Sequence, residues 1–178
     1  MIPWIETARL VLRPLVPSDA SAIVEALADW QVAKWMSRVP YPYTAEDAEA
    51  FLAIAAPGGA LEADGERVWA LTLRSEDRLL GVVGLGTAPG QEFGYWLASA
   101  AWGRGLVPEA GRAVLAAHFA DPETPAVASG YFDGNERSER VLRRLGFVDD
   151  GSETRWCLPR GEDVLLHRMR LTREAFAA

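Results

Sequence analysis

The chain has 178 residues, 49% of them hydrophobic, which suits a folded domain with its own core and excludes a disordered chain. A net charge of −7 makes it a poor general partner for nucleic acid, whose phosphates repel it, so no nucleic-acid partner is expected. Cys157 is the only cysteine, which rules out an intrachain disulfide, and no run approaches the roughly 20 apolar residues of a membrane span.

Met1 to Arg13 has no long apolar run after a basic start, so a cytoplasmic protein without membrane partners is expected. Arg9 to Arg13 alternates as a first strand, closed by Pro14. Ser18-Asp19 caps a helix through Ile23 and Leu27. An aromatic stretch from Gln31 to Pro42 follows, broken by Pro40 and Pro42. Thr44 with Asp47 opens a helix reaching about Ala56, and Pro57-Gly58-Gly59 ends it.

Arg67 to Arg74 and Leu79 to Gly86 read as an antiparallel hairpin turned at Ser75-Glu76-Asp77. Pro89-Gly90 marks another turn, and Glu92 to Ala98 is a third strand of this group. A helix runs from about Gly105 to Phe119, with Val107, Ala110, Val114, Leu115 and His118 on one face. Ala126 to Phe132 is a short strand, and Asn135 caps a helix through Leu145 that Gly146 stops. Phe147 to Leu158 and Asp163 to Leu171 close the chain as strands. No repeat or linker divides residues 1–178, so one domain is expected. The order β-α-α-β-β-β-α-β-α-β-β predicts an α+β fold, an α/β sandwich with a mostly antiparallel sheet.

The stretch from Tyr95 to Ala110 carries the most chemistry: a strand, a turn with Gly103 and Gly105, then a helix. Glycine permits positive φ and close approach of a ligand. The first N–H groups of a helix lack internal partners and carry the positive end of its dipole, so they suit a phosphate. Pro108 fits the first helical turn. Two spaced glycines also occur in bare strand-to-helix connections, and both readings stand on this motif alone. No Gly-Lys-Ser/Thr follows, and the third glycine of a dinucleotide fingerprint would fall on Pro108.

Gly94-Tyr-Trp-Leu, then Trp102-Gly-Arg-Gly-Leu-Val-Pro-Glu-Ala, then Asn135-Glu-Arg-Ser138 and Leu145-Gly-Phe resemble the GNAT acyltransferases. The opening Thr7-Ala-Arg-Leu-Val-Leu-Arg-Pro14 resembles their RimJ/RimL-like branch, and the likeness covers nearly the whole chain. It implies a twisted, mostly antiparallel mixed sheet flanked by helices, whose fourth and fifth strands splay to admit the cofactor. Here these are Glu92–Ala98 and Ala126–Phe132. It implies acetyl-CoA as donor, coenzyme A as product, direct transfer to a primary amine, and often dimers. The acceptor is a protein N-terminus or a small amine. No metal site is expected.

The family's diphosphate motif matches Gly103 and Gly105, but its Gln/Arg position falls on Ala100, which removes one side-chain contact. The expected cofactor residues are Leu97, Ala98, Trp102, Gly103, Arg104, Gly105, Leu106, Val107, Asn135, Ser138 and Arg140. Near Leu97 the resemblance places a main-chain N–H that polarises the acetyl carbonyl. Arg140 belongs to a row with Arg137, Arg143 and Arg144, which is either a solvated face or a phosphate contact.

The departing thiolate benefits from a proton, and Ser138 is the candidate because it shares the inward face with Val141, Leu142 and Leu145. Many relatives carry a tyrosine where this chain has Leu142. Glu92 is the candidate general base, with Tyr131 and Asp133 as alternatives. His118 reads as a packed core residue, Cys157 as a small buried one, and His167 has no evident partner. Trp30, Trp35, Tyr41 and Tyr43 are expected on the acceptor side, where they either hold the acceptor or fill the core. A non-catalytic acyl-CoA-binding module is the competing class of function, and a nucleotide-binding domain using the same turn is a third.

Overall fold

A computed structural model describes residues 2–86 and 92–177. The expected turn at Pro89-Gly90 lies outside the described residues. Five antiparallel strands form the first sheet in chain order: β1 (Ile5–Glu6), β2 (Leu10–Arg13), β3 (Glu66–Leu73), β4 (Glu76–Gly86) and β5 (Phe93–Leu97). A second sheet has the order β6-β8-β7, from β6 (Val127–Phe132), β7 (Val148–Cys157) and β8 (Glu162–Leu171).

Period-two alternation assigns each face of the first sheet to its own core. On β3, Val68 and Ala70 join a core with Ile23 and Leu27 of α1 (Ala20–Leu27) and Leu52 of α3 (Ala45–Ala55). Trp69 and Leu71 point the other way, into a core with Val114 and Leu115 of α5 (Leu106–Phe119) and Leu142 of α6 (Glu136–Arg144). Both faces are therefore buried, as helices on both sides of a sheet require.

Local signals set most of the boundaries. Thr44 and Asp47 form the reciprocal capping box of α3. Past α6, Gly146 adopts φ +95°, with its N–H bonded to the Arg143 carbonyl and the Phe147 N–H bonded to Leu142. That pair of bonds satisfies the last carbonyls of the helix and turns Phe147 into the core against Phe93. Arg13 and Asp19, both buried, meet at 2.8 Å, and Asp19 also accepts the Val16 N–H. This pairing joins β2 to the start of α1 across Pro14.

Some elements differ from the sequence-based expectation. β4 starts at Glu76 rather than Leu79, because the hairpin turn is tighter and polar Glu76, Asp77 and Arg78 extend the ladder at its exposed end. The short elements β1, α2 (Trp30–Ala33), α4 (Ala60–Ala63) and α7 (Arg173–Ala177) went unpredicted, as did the 3-10 turns at Pro17–Asp19, Ser99–Ala101 and Leu158–Arg160. None is long enough to display a hydrophobic period.

The strands expected to splay are β5 and β6, one number later because β1 precedes them. They lie in different sheets, linked among the described residues by a parallel bridge between Glu92 and Ala128 and by the Ser129 hydroxyl, which donates to the Phe93 carbonyl at 2.7 Å. Beyond those links the two sheets part.

Candidate active site

A cavity of about 550 Å³ opens where β5 and β6 separate. β5 lines it with Tyr95, Trp96 and Leu97, the glycine turn with Trp102, Gly103 and Gly105, and α6 with Asn135, Arg137 and Ser138.

Strand pairing decides which backbone groups face it. Glu92 and Ala98 bond to Gly86 and Leu80 of β4, so positions of that parity point towards β4. The intervening Tyr95 and Leu97 therefore turn their N–H and C=O groups towards β6. The Leu97 carbonyl accepts the Trp102 indole N–H at 2.7 Å, as this alternation requires. The Leu97 N–H faces the same cleft. Ala98, expected beside it, is a correction: its N–H is taken by Leu80 at 2.8 Å and it does not line the cavity.

Gly103 and Gly105 have φ +74° and +71°. A Cβ on Gly103 would meet nothing within 4 Å, so the space in front of the turn is open. Gly105 is the N-cap of α5, and Leu106, Val107 and Pro108 follow along the cavity wall. Such a turn offers main-chain donors and a helix N-terminus to an anion. Arg104 does not line the cavity; its carbonyl accepts from Arg9 at 2.8 Å on the other side of the turn.

Opposite, the Tyr95 and Ser138 hydroxyl oxygens lie 2.8 Å apart, across the cleft from β5 to α6. Burial pushes the Tyr95 phenol up, against the smaller opposing effect of the Ser138 bond, so Tyr95 keeps its proton. Sequence reasoning missed Tyr95 as a site residue; the signal available was the Gly-Tyr-Trp-Leu motif itself. Asn135 caps α6 by accepting the Ser138 N–H at 3.2 Å, and it also lines the cavity.

Of the arginine row, Arg137, Arg140 and Arg144 line the cavity. The Arg137 guanidinium lies over the Trp102 ring, 4.0 Å from its centroid. Arg140 pairs with Glu136, and Arg143 turns away to Glu139 and Asp149.

At the other end, Glu92 receives two bonds from Arg155, at 2.7 and 2.9 Å, and Arg155 also holds Glu153. Those carboxylates hold the Arg155 guanidinium above its ordinary value despite burial. Tyr131 also borders the cavity, with its ring stacked on His167 at 4.9 Å. Its phenol is raised by burial, and its charged neighbours are Glu139, Arg143 and Asp149. His167, without an evident partner in the sequence, bonds Asp133 at 2.8 Å.

The expected acceptor-side aromatics do not come together. Trp35 lines the cavity. Trp30 and Tyr41 pack on each other, 4.9 Å between centroids, at half-exposed positions outside the lining. Tyr43 is buried in the helix-side core, where burial and then Asp47 push its phenol up to about 12. The apolar faces of α1 and α3 claim it, which the sequence could not show. His118 is packed as expected, bonded to the Pro125 carbonyl. Cys157 is fully buried and its thiol is pushed up by burial, so it is a poor nucleophile. Among the described residues no helix is long and apolar enough to cross a membrane.

The chain matches the acetyltransferase (GNAT) domain family over residues 9–148. It is similar to the uncharacterized N-acetyltransferase YoaA of Bacillus subtilis (strain 168), 25% identical over 156 residues that cover 85% of this chain and 86% of that protein. A GNAT-family acetyltransferase of Bacillus anthracis superposes with a TM-score of 0.82 at 20% identity, covering 97% of this chain and 99% of the other. RimL, a ribosomal L7/L12 α-N-protein acetyltransferase solved with coenzyme A, superposes with a TM-score of 0.78 at 17% identity over 97% of this chain and 99% of its own. At these identities the solved structures establish the shared fold.

Proposed function

The chain belongs to the GNAT acetyltransferase family, and from that premise we propose that it moves an acetyl group from acetyl-CoA to a primary amine in the cleft between β5 and β6. The observation that carries this reading is the cavity itself: open space before Gly103 at one side, and the Tyr95–Ser138 hydroxyl pair at the other.

The residues present fit the donor. Main-chain N–H groups at Gly105, Leu106 and Val107 suit a diphosphate, and Pro108, which has none, lies beyond them. Arg137, Arg140 and Arg144 add positive charge along the same wall of an otherwise acidic protein. Ala100 offers no phosphate contact, and Arg137, its face held by Trp102, keeps its N–H edge available for one. Asn135 and the exposed groups of β5 suit the amide-rich pantetheine arm.

When bound, the thioester supplies the acetyl group. The amine nitrogen forms the new C–N bond, the C–S bond breaks, and the nitrogen's proton is lost. The Leu97 N–H stabilises the carbonyl oxygen as it gains charge. Either hydroxyl can be the donor in the Tyr95–Ser138 bond; in the proposed reaction Tyr95 donates to the Ser138 oxygen, which leaves the Ser138 proton for the departing sulfur.

Glu92 stands at the acceptor end. Both its oxygens are engaged by Arg155, so its part is to attract the cationic amine and to take up its proton through water rather than by direct contact. Trp35 borders the acceptor on the same side. Tyr131 contributes packing at the wall, since its hydroxyl is surrounded by the Glu139, Arg143 and Asp149 charges.

The acceptor is a protein N-terminus or a small amine. An acceptor screen with acetyl-CoA, read as thiol release, tests the proposal. Turnover with at least one amine is expected. Tight CoA binding with no turnover over a broad panel of amines and peptides would favour a non-catalytic acyl-CoA-binding module.

A further inference from the structure

Arg9 is outside the cavity, yet its guanidinium reaches both carbonyls of the glycine turn from behind. Its Nη1 donates to the Arg104 carbonyl at 2.8 Å and its Nη2 to the Gly105 carbonyl at 3.3 Å. Its Nε donates to Glu109 Oε2 at 2.6 Å, and its backbone N–H to Glu109 Oε1 at 2.9 Å. Thr7 adds a third bond to Glu109, at 2.6 Å.

The geometry of a trans peptide turns this into a statement about the cavity. The C=O of one residue and the N–H of the next point in opposite directions across a planar unit. With the Arg104 carbonyl turned to Arg9, the Gly105 N–H must point away from Arg9. With the Gly105 carbonyl turned to Arg9, the Leu106 N–H must do likewise. Gly105 and Leu106 line the cavity. The Gly105 carbonyl is also held by the first helical bond, from the Glu109 N–H at 3.3 Å, whereas the Arg104 carbonyl is held by Arg9. At φ +71° a glycine has little intrinsic preference to keep the plane before it in that orientation, so Arg9 constrains it and braces the next.

We propose that Arg9, locked by Glu109 and Thr7, is the positioning residue of the diphosphate cradle: it fixes the two peptide planes whose N–H groups meet the coenzyme A diphosphate. This rests on the reading of the cavity as an acetyl-CoA site. It accounts for two sequence features that look unrelated, the opening Thr-Ala-Arg and the Pro-Glu-Ala of α5, as the two halves of one clamp. Arginine is required because a single fork must reach a carboxylate and two carbonyls together. A lysine could serve only one of them well.

The test measures CoA affinity by calorimetry for the wild type, Arg9→Leu and Glu109→Gln, beside inhibition by pantetheine, which has the arm but no diphosphate. Amide exchange at Gly105 and Leu106 is followed in the same proteins. We expect each variant to weaken CoA about tenfold, to leave pantetheine inhibition unchanged, and to speed exchange at both amides. The double variant should be no weaker than either single one, because both break one clamp. Glu109→Gln is nearly isosteric and keeps the experiment decisive if Arg9→Leu fails to fold. CoA affinity at the wild-type level in either folded variant overturns the proposal. Equal weakening of CoA and pantetheine also overturns it, since that would be a general loosening of the domain. A wild type that does not bind CoA at all would instead defeat the reading of the cavity, and this proposal with it.

Discussion

The Tyr95 and Ser138 hydroxyls meet at 2.8 Å across the gap between β5 and α6, from opposite walls of the cavity. The proposed reaction has Tyr95 donate in that bond and the serine proton go to the sulfur. Ser138→Ala is expected to lower kcat about a hundredfold with little change in the KM for acetyl-CoA. Tyr95→Phe keeps the ring that packs on Phe93 and should lower kcat about tenfold. Combined, the two should cost no more than Ser138→Ala alone, because Tyr95 acts through the serine. Steady-state kinetics of the three variants decides it; additive losses would separate the two residues.

Gly105→Val is expected to abolish measurable CoA binding. Valine at φ +71° is strained by roughly 1–3 kcal/mol, and its Cβ would stand 3.7 Å from Arg9 Nη2, where its branches crowd the group that holds the turn from behind. Gly103→Ala, at φ +74° but with open space before it, should fold and bind more weakly than the wild type. Calorimetry with CoA on folded variants measures both.

The Arg13–Asp19 pair is the buried ion pair of the helix-side half, with side-chain exposures of 5% and 4%. Removing one partner strands the other charge, so Asp19→Ala should cost about 3–5 kcal/mol of stability. Urea unfolding at neutral pH checks this. Asp77→Ala should cost far less, because Asp77 is 75% exposed and solvent screens its bond to Arg13.

Glu109 carries a pH signature. Burial pushes its carboxyl up, but bonds from Thr7, the Arg9 N–H and the Arg9 guanidinium outweigh this and leave it below the usual range. A group depressed in the folded state adds stability that is complete above its unfolded value, about 4.3, and is lost as pH falls below it. The wild type should therefore lose more stability than Glu109→Gln between pH 7 and pH 3. Equal losses in paired denaturation curves would remove Glu109 from the acid response.

Glu92 and Arg155 form a bidentate pair at the proposed acceptor end. Glu92→Gln removes a negative charge from that end, so the KM for a cationic acceptor should rise several-fold while the KM for acetyl-CoA stays put. Arg155→Ala frees both Glu92 oxygens for the acceptor and should change the kcat/KM pH profile. An unchanged profile in Arg155→Ala would show that Glu92 takes no part in proton uptake.

The sequence by itself determined the order of the long elements, the capping of α3 and α6, the glycine stop at Gly146 and the strand-to-helix turn at Gly103 and Gly105. Each depends on residues within one or two helical turns of one another, so periodicity and capping chemistry express them directly. The family likeness rested on the same local motifs. Only the tertiary structure decided the rest. Arg155 is 63 residues from Glu92, Ser138 is 43 from Tyr95, and Glu109 is 100 from Arg9. No spacing rule links such pairs. Tyr43 went to the core and Trp35 to the cavity because α1 and α3 have apolar faces to cover, and two aromatics in one short stretch look alike until the helices claim one of them. The direction of the Leu97 N–H was likewise settled by strand pairing, since parity in a sheet depends on the partner strand and cannot be read from one strand alone.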